Sequence, residues 1–327
     1  MRKFIKKIST MNEYKFYGLF NWIKNYYFIF IGSCFLLSAI YETFHSSIVQ
    51  RQNIHMFILA LICFSAYSDI RKDINTISFL ILCTLFFIFI FYINKNGYNF
   101  WGRMLRWQIS RTIVVNLNPI FAHIPFNNGS FTRIYKSETL TQFFRIVYNN
   151  GFVLPVLLAL YRSAIIMDFK KMIRYALSAH ILQVFLITPF YLTFHLQEVW
   201  YVLKHPDGLA RHLATNAAAG TTLNCFPSMH TSISFAMFLL ALREKNKLFK
   251  FLFSFFCLSI IYSTLYLEIH WVLDVIAGML LGYITVKLAD FILNKIKIPL
   301  KRPLDVFYYK NRNSIYVDSF YVSNMKN

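Results

Sequence analysis

Two histidines mark the stretch between Asn224 and Gly282, which is otherwise largely apolar. His230 closes the tetrapeptide Pro227-Ser228-Met229-His230, and His270 opens His270-Trp271-Val272-Leu273-Asp274. On a helix, His270 and Asp274 stand one turn apart on the same face. A carboxylate that accepts the Nδ1 proton of a histidine fixes its tautomer and leaves Nε2 with a lone pair. Such a histidine can attack phosphorus or activate a group that does. The same pair also reads as a satisfied buried contact that packs two helices. Upstream, proline suits the first position of a helix, so Pro227 predicts a helix start with free N–H groups facing outward. Those groups, with the Ser228 hydroxyl, form a ready anion site. His230 in the first turn would then stand beside a bound phosphoryl group and could protonate a leaving oxygen. Taken alone, the tetrapeptide reads equally as an ordinary capped helix with a histidine at the lipid interface.

The elements that must carry these residues are membrane helices. Of the 327 residues, 57% are hydrophobic and only 15% charged, and the mean hydropathy is +0.46. Several apolar runs approach the roughly 20 residues a membrane helix needs. The expectation is an all-α polytopic membrane protein with about eight transmembrane helices, near 26–41, 54–67, 77–93, 146–166, 175–196, 227–242, 248–267 and 271–292. The second run is short, and reads as a span, a re-entrant hairpin or an interfacial helix. Pro189 interrupts the fifth. Residues 94–145 form the longest non-spanning stretch, where Trp101, Trp107, Arg103, Arg106 and Arg111 follow the pattern of interfacial helices. Three regions follow: a basic N-terminal segment with extra helices (1–74), a membrane core (75–293) and a basic tail (294–327).

The net charge of +20 does not point to nucleic acid, because the basic residues fall in short clusters between apolar runs. Cytoplasmic loops attract such clusters. Arg71 and Lys72, Lys170, Lys171 and Arg174, and Arg243, Lys245, Lys247 and Lys250 fall on one side when both termini are placed inside. His230 and His270 then share the outer face. The five cysteines have no CxxC spacing and give no disulfide framework. His180, His195, His205 and His212 lack metal-ligand spacing, so no metal or cofactor is expected. No GxxxxGK phosphate loop exists, which argues against a nucleoside-triphosphate-driven enzyme. Gly278 and Gly282 have the GxxxG spacing that lets a neighbouring helix approach the His270 helix closely.

Taken together, Pro227-Ser228-Met229-His230 resembles the second signature of the type-2 phosphatidic acid phosphatase superfamily. His270-Trp271-Val272-Leu273-Asp274-Val275-Ile276-Ala277-Gly278 resembles its third. The preceding Ser263-Thr264-Leu265-Tyr266-Leu267 and the Asn-x-Phe-Pro-Ser-x-His form are similar to the inositol-phosphorylceramide-synthase-like branch. The resemblance implies a six-helix core and a metal-independent phosphoryl-group enzyme. It implies His270 as nucleophile forming a phosphohistidine, Asp274 as its orienting partner, His230 as general acid and Ser228 as a phosphate ligand. Two departures stand out. The phosphatase branch has an arginine where this chain has Thr264, and the first signature cannot be found as such. Arg211 and Lys204, in the outer loop before the second signature, are the available cations, and arginine is the better phosphate clamp. Gln197-Glu198-Val199-Trp200 falls near the same pocket with no chemistry assigned.

The expected partner is a membrane lipid phosphate or phosphodiester in the bilayer, and the expected place is the plasma membrane with an extracytoplasmic site. The alternative is an inactive relative that works as a transporter or channel, for which Pro189 is the one supporting feature. Lipid identity, hydrolysis against transfer, and oligomeric state are not readable from the chain.

Overall fold

The computed structural model describes residues 22–23, 26–44, 51–71, 74–110 and 115–296. The basic segment before residue 22 and the tail beyond 296 lie outside the described residues. Each of the eight apolar runs is helical: α1 (Tyr26–Phe44), α2 (Arg51–Ser65), α3 (Thr76–Ser110), the pair α5 (Glu138–Asn150) and α6 (Leu154–Ile165), α7 and α8 (Phe169–Ala176 and Leu182–Thr193), α11 (Met229–Ala241), α12 (Lys247–Tyr266) and α13 (Val272–Lys295). Short helices α4 (Asn118–His123), α9 (Val199–Val202) and α10 (Thr215–Thr221) lie between them. The strands Val115–Asn116 and Phe194–His195 pair in parallel over two residues each. The protein is thus all-α and polytopic.

Among the described residues, five helices are long and apolar enough to cross a bilayer, six when α5 and α6 count as one span bent by 60°. This departs from eight full spans for a simple reason of length. At 1.5 Å per residue, the 13 residues of α11 extend about 20 Å, short of the roughly 30 Å hydrocarbon core. The helical part of α2 is similarly short. Three other expectations are corrected. Helix α3 continues to Ser110 over 35 residues, so the stretch after residue 94 is an extension of a span before it is anything else. The span expected at 146–166 begins earlier, at Glu138, and is broken at Gly151-Phe152-Val153. A Cβ on Gly151 would stand 2.6 Å from Ile260 Cγ2, so the break lies hard against α12. Pro189 sits inside α8 without ending it, and the irregularity lies upstream, in a π turn at Leu177–Ile181.

Helix α11 is the hub, flanked by α12 and α13. Its face of Ser228, Thr231, Ser232 and Ala236 meets the two glycines of α13. A Cβ on Gly278 would come within 2.6 Å of the Ser228 carbonyl oxygen, and one on Gly282 within 2.5 Å of that of Ser232. Small residues on both sides let the backbones touch. At the far end of the bundle, a buried charged cluster ties the N-terminal helices to this hub. Arg162 donates to Asp69 Oδ2 at 2.6 Å and to Ser65 Oγ at 2.8 Å, while its Nε stands 3.8 Å from Glu244. Tyr175 and Lys171 also donate to Glu244, at 2.8 and 2.9 Å.

Candidate active site

The turn between α12 and α13 carries the first histidine. Thr264 is fully buried, and its carbonyl accepts from the backbone N–H groups of Ile269 and His270 at 3.0 and 3.1 Å. Its hydroxyl donates back to Ile261 O at 2.7 Å. The position that an arginine holds in the phosphatase branch is therefore occupied by a residue that shapes the turn. Glu268 adopts a left-handed φ of 59°, and its carboxylate pairs with His205 Nδ1 at 2.7 Å and Arg133 Nη2 at 3.1 Å.

Helix α13 then starts beneath His270. Asn127, contributed from well upstream, caps it: its carbonyl accepts from Val272 N at 2.8 Å and its side-chain oxygen from Leu273 N at 2.9 Å. Two of the orphan donors at the helix start are thereby satisfied. The Asp274 carboxylate accepts from Trp271 N at 3.0 Å. His270 Nδ1 lies 3.2 and 3.3 Å from the two Asp274 oxygens, so the ring faces the carboxylate and leaves Nε2 unengaged by it. Asp274 is completely buried and His270 nearly so.

The second histidine lies one residue into α11. Ser228 is the N-cap, accepting from Thr231 N at 3.3 Å and donating to Thr231 Oγ1 at 2.9 Å. Pro227 is consequently one position before the cap instead of at the first helical position. The buried Ser228 hydroxyl is engaged within its own helix, and its backbone N–H donates to Asp274 O at 3.2 Å. That bond couples the two helix starts. The rings of His230 and His270 are neighbours, tilted by 53° with centroids 6.3 Å apart. Tyr148, from α5, stacks on His230 at 4.4 Å with its hydroxyl 3.5 Å from Nδ1. Phe152, at the break after α5, packs on His230 and on His180 of the π turn.

The two cations singled out in the sequence differ in their surroundings. Arg211 is clamped: Nη1 donates to Glu198 at 3.1 Å, Nη2 to both Glu198 and Asp207, and Nε to Asp207 at 2.8 Å. Burial acts to lower its pKa, but the two carboxylates outweigh this and hold it above the ordinary arginine value. Burial likewise acts to raise Asp207, and its bonds to Arg211 and two backbone donors leave it below the usual carboxylate range. Lys204 is exposed on the same loop with a left-handed φ of 59°. The loop is seated on the turn between α12 and α13: a Cβ on Gly208 would come within 2.1 Å of Leu267 O. Arg145 of α5 donates from Nε to Gly208 O at 2.8 Å, which fixes a third cation against this loop, one turn from Tyr148. Glu198 also accepts from Trp200 Nε1.

Sequence patterns thus locate His230, His270 and Asp274, which the fold brings together. They do not reveal Tyr148, Asn127 or Arg145, which lie 82 to 146 positions from their partners, except Arg145, which meets Gly208 over 63. The one available signal was that α5 is amphipathic, with Phe144, Val147 and Tyr148 on its buried side.

Residues 175–295 match the family model of the PAP2 superfamily, which covers the stretch from the last residues of α7 to the end of α13. No curated protein and no solved structure matches the chain.

Proposed function

We propose that the chain is an integral-membrane phosphatase or phosphotransferase of the PAP2 type, acting on a lipid phosphate or phosphodiester through a phosphohistidine on His270. The observation that carries this reading is the adjacency of His230 and His270, their ring centroids 6.3 Å apart, with Asp274 against the Nδ1 of the second. The match to the superfamily over 175–295 adds support.

In the first step Nε2 of His270 attacks phosphorus while Asp274 holds the Nδ1 proton and stabilises the cationic ring. The P–O bond to the lipid breaks as His230 gives its proton to the leaving oxygen. In the second step water, or a lipid alcohol, gives its proton to His230 and attacks phosphorus, breaking the P–N bond. Ser228 contributes by fixing the start of α11 and hence His230. The phosphate oxygens are met by Arg211, Lys204 and Arg145 along the 204–211 loop, with Arg211 exchanging a carboxylate for phosphate. Thr264 in place of an arginine removes one cation and favours a phosphodiester or transfer to an alcohol, in keeping with the inositol-phosphorylceramide-synthase-like motifs. Residues 75–293 form the catalytic core, with both termini cytoplasmic and the site at the outer face of the plasma membrane.

Purified protein in lipid nanodiscs, offered a panel of lipid phosphates and phosphodiesters without added metal, should release phosphate or move a headgroup. The His270→Ala variant should be inactive on the same lipid. Full activity in that variant would sink the assignment.

A further inference from the structure

Cys225, at the end of the loop leading to α11, belongs to none of the roles above. Its sulfur has only long contacts, to Thr222 O at 3.5 Å and Ile269 O at 3.7 Å. It is nonetheless buried beside the histidine–aspartate pair. One donor atom each from Cys225, His270 and Asp274 lie within 4.8 Å of one another. The Asp274 carboxylate, fully buried, meets His270 Nδ1 at 3.2 and 3.3 Å and Trp271 N at 3.0 Å, which leaves lone pairs on both oxygens. A carboxylate buried in a dry site is stabilised by a further partner with positive charge.

A thiolate, an imidazole and a carboxylate are the donors that hold zinc, at about 2.3, 2.0 and 2.1 Å respectively. Tetrahedral donors at those bond lengths stand about 3.5 Å apart, so the cluster needs to contract by about an ångström. A single sulfur and nitrogen exclude a preference for magnesium or calcium, which take oxygen cages. We propose that Cys225, His270 and Asp274 form a binding site for one thiophilic divalent cation, zinc or cadmium, with the fourth position open toward the His230 side. The binding site rests on this geometry alone. Its consequence rests on the function proposed above: an ion that takes a ring nitrogen of His270 and the Asp274 carboxylate removes the nucleophile, so the cation inhibits.

Cadmium titrated into the full chain in detergent should produce a saturable thiolate-to-metal ultraviolet band at one equivalent. Cys225→Ser should lose the band and bind zinc at least tenfold more weakly, whereas Cys34→Ser, at an exposed cysteine, should keep it. Micromolar zinc should stop lipid turnover in the wild type, reversibly with chelator, and Cys225→Ser should turn over normally but need at least tenfold more zinc. A band that persists in Cys225→Ser, or no saturable band in the wild type, overturns the site. X-ray absorption of the zinc-loaded wild type covers the case in which the serine variant does not fold. One sulfur in the zinc shell supports the site, and a shell of nitrogen and oxygen alone overturns it. A chain that binds the ion through Cys225 but turns over no lipid would refute the enzymatic reading and leave the metal site standing.

Discussion

At the scale of single residues, Asp274 decides which nitrogen of His270 is free. With its carboxylate 3.2 Å from Nδ1, an amide in its place would leave the shape intact and lose both the tautomer and the charge. Asp274→Asn should lower kcat by about 10²–10⁴-fold with little change in KM, measured by steady-state kinetics on the preferred lipid. An unchanged kcat would reduce the pair to a packing contact. Tyr148 offers the complementary case. Its hydroxyl at 3.5 Å from His230 is at the limit of a hydrogen bond, whereas its ring stacks at 4.4 Å. Tyr148→Phe should therefore keep close to wild-type kcat, and Tyr148→Ala should lose the stack, worth about 0.5–1.5 kcal/mol, and slow the reaction. If phenylalanine is as damaging as alanine, the hydroxyl carries the role. The histidine–aspartate pair was legible because the two residues lie only four positions apart, although His270 precedes the first residue of α13 instead of lying on the helix as the spacing predicts. Tyr148 was not, since nothing local in α5 marks which residue will meet a ring 82 positions on.

At the scale of elements, the eight apolar runs were readable because a membrane helix needs length and hydropathy, both local properties. Their irregularities were not. The break between α5 and α6, the π turn before α8 and the length of α3 depend on what each helix packs against, as with Gly151 against Ile260. Pro189 misled for the opposite reason: neighbouring helices tolerate a proline that an isolated helix would not. The GxxxG pair is the element-level device that brings the histidines together. Gly282→Val would drive a side chain into the Ser232 carbonyl at 2.5 Å, forcing α13 away from α11. Overpacking of this kind costs about 1–3 kcal/mol, and the displaced His270 should lose activity beyond what the fall in thermal midpoint explains. Wild-type turnover in Gly282→Val would mean that the helices can slide without disturbing the site. Asn127 acts on the same helix at its first turn. Asn127→Ala removes the acceptor of Leu273 N and should cost about 1 kcal/mol by analogy with lost caps, read as a lower unfolding midpoint in detergent.

At the scale of the whole molecule, polar side chains gather at the two ends of the bundle and leave lipid-facing Phe and Leu between them. One end holds the histidine site. The other holds Arg162, Asp69, Glu244, Lys171 and Tyr175, joining α2, α6, α7 and the turn after α11. Helix α11 begins at the first and ends near the second, so the two lie about 20 Å apart. The distant cluster was invisible in the sequence because its hydrogen-bonded partners sit on separate elements, 69 to 93 positions apart. Arg162 is 1% exposed and pairs with Asp69 and Glu244. Arg162→Met would leave Asp69 short of its counter-ion in a dry place, while Glu244 keeps Lys171 at 2.9 Å, and loss of one partner from such a cluster costs about 3–5 kcal/mol. The double variant Arg162→Met, Asp69→Asn removes both charges of the closest pair and should recover much of that loss, because Glu244 keeps Lys171 and no charge is then stranded. Thermal unfolding of the three proteins in the same detergent separates the outcomes. If Arg162→Met is as stable as wild type, water reaches the cluster and the pairing is not what holds the N-terminal helices. Folded Arg162→Met should retain wild-type kcat, since nothing in the cluster touches either histidine, and a specific loss of kcat would reveal coupling between the two ends along α11.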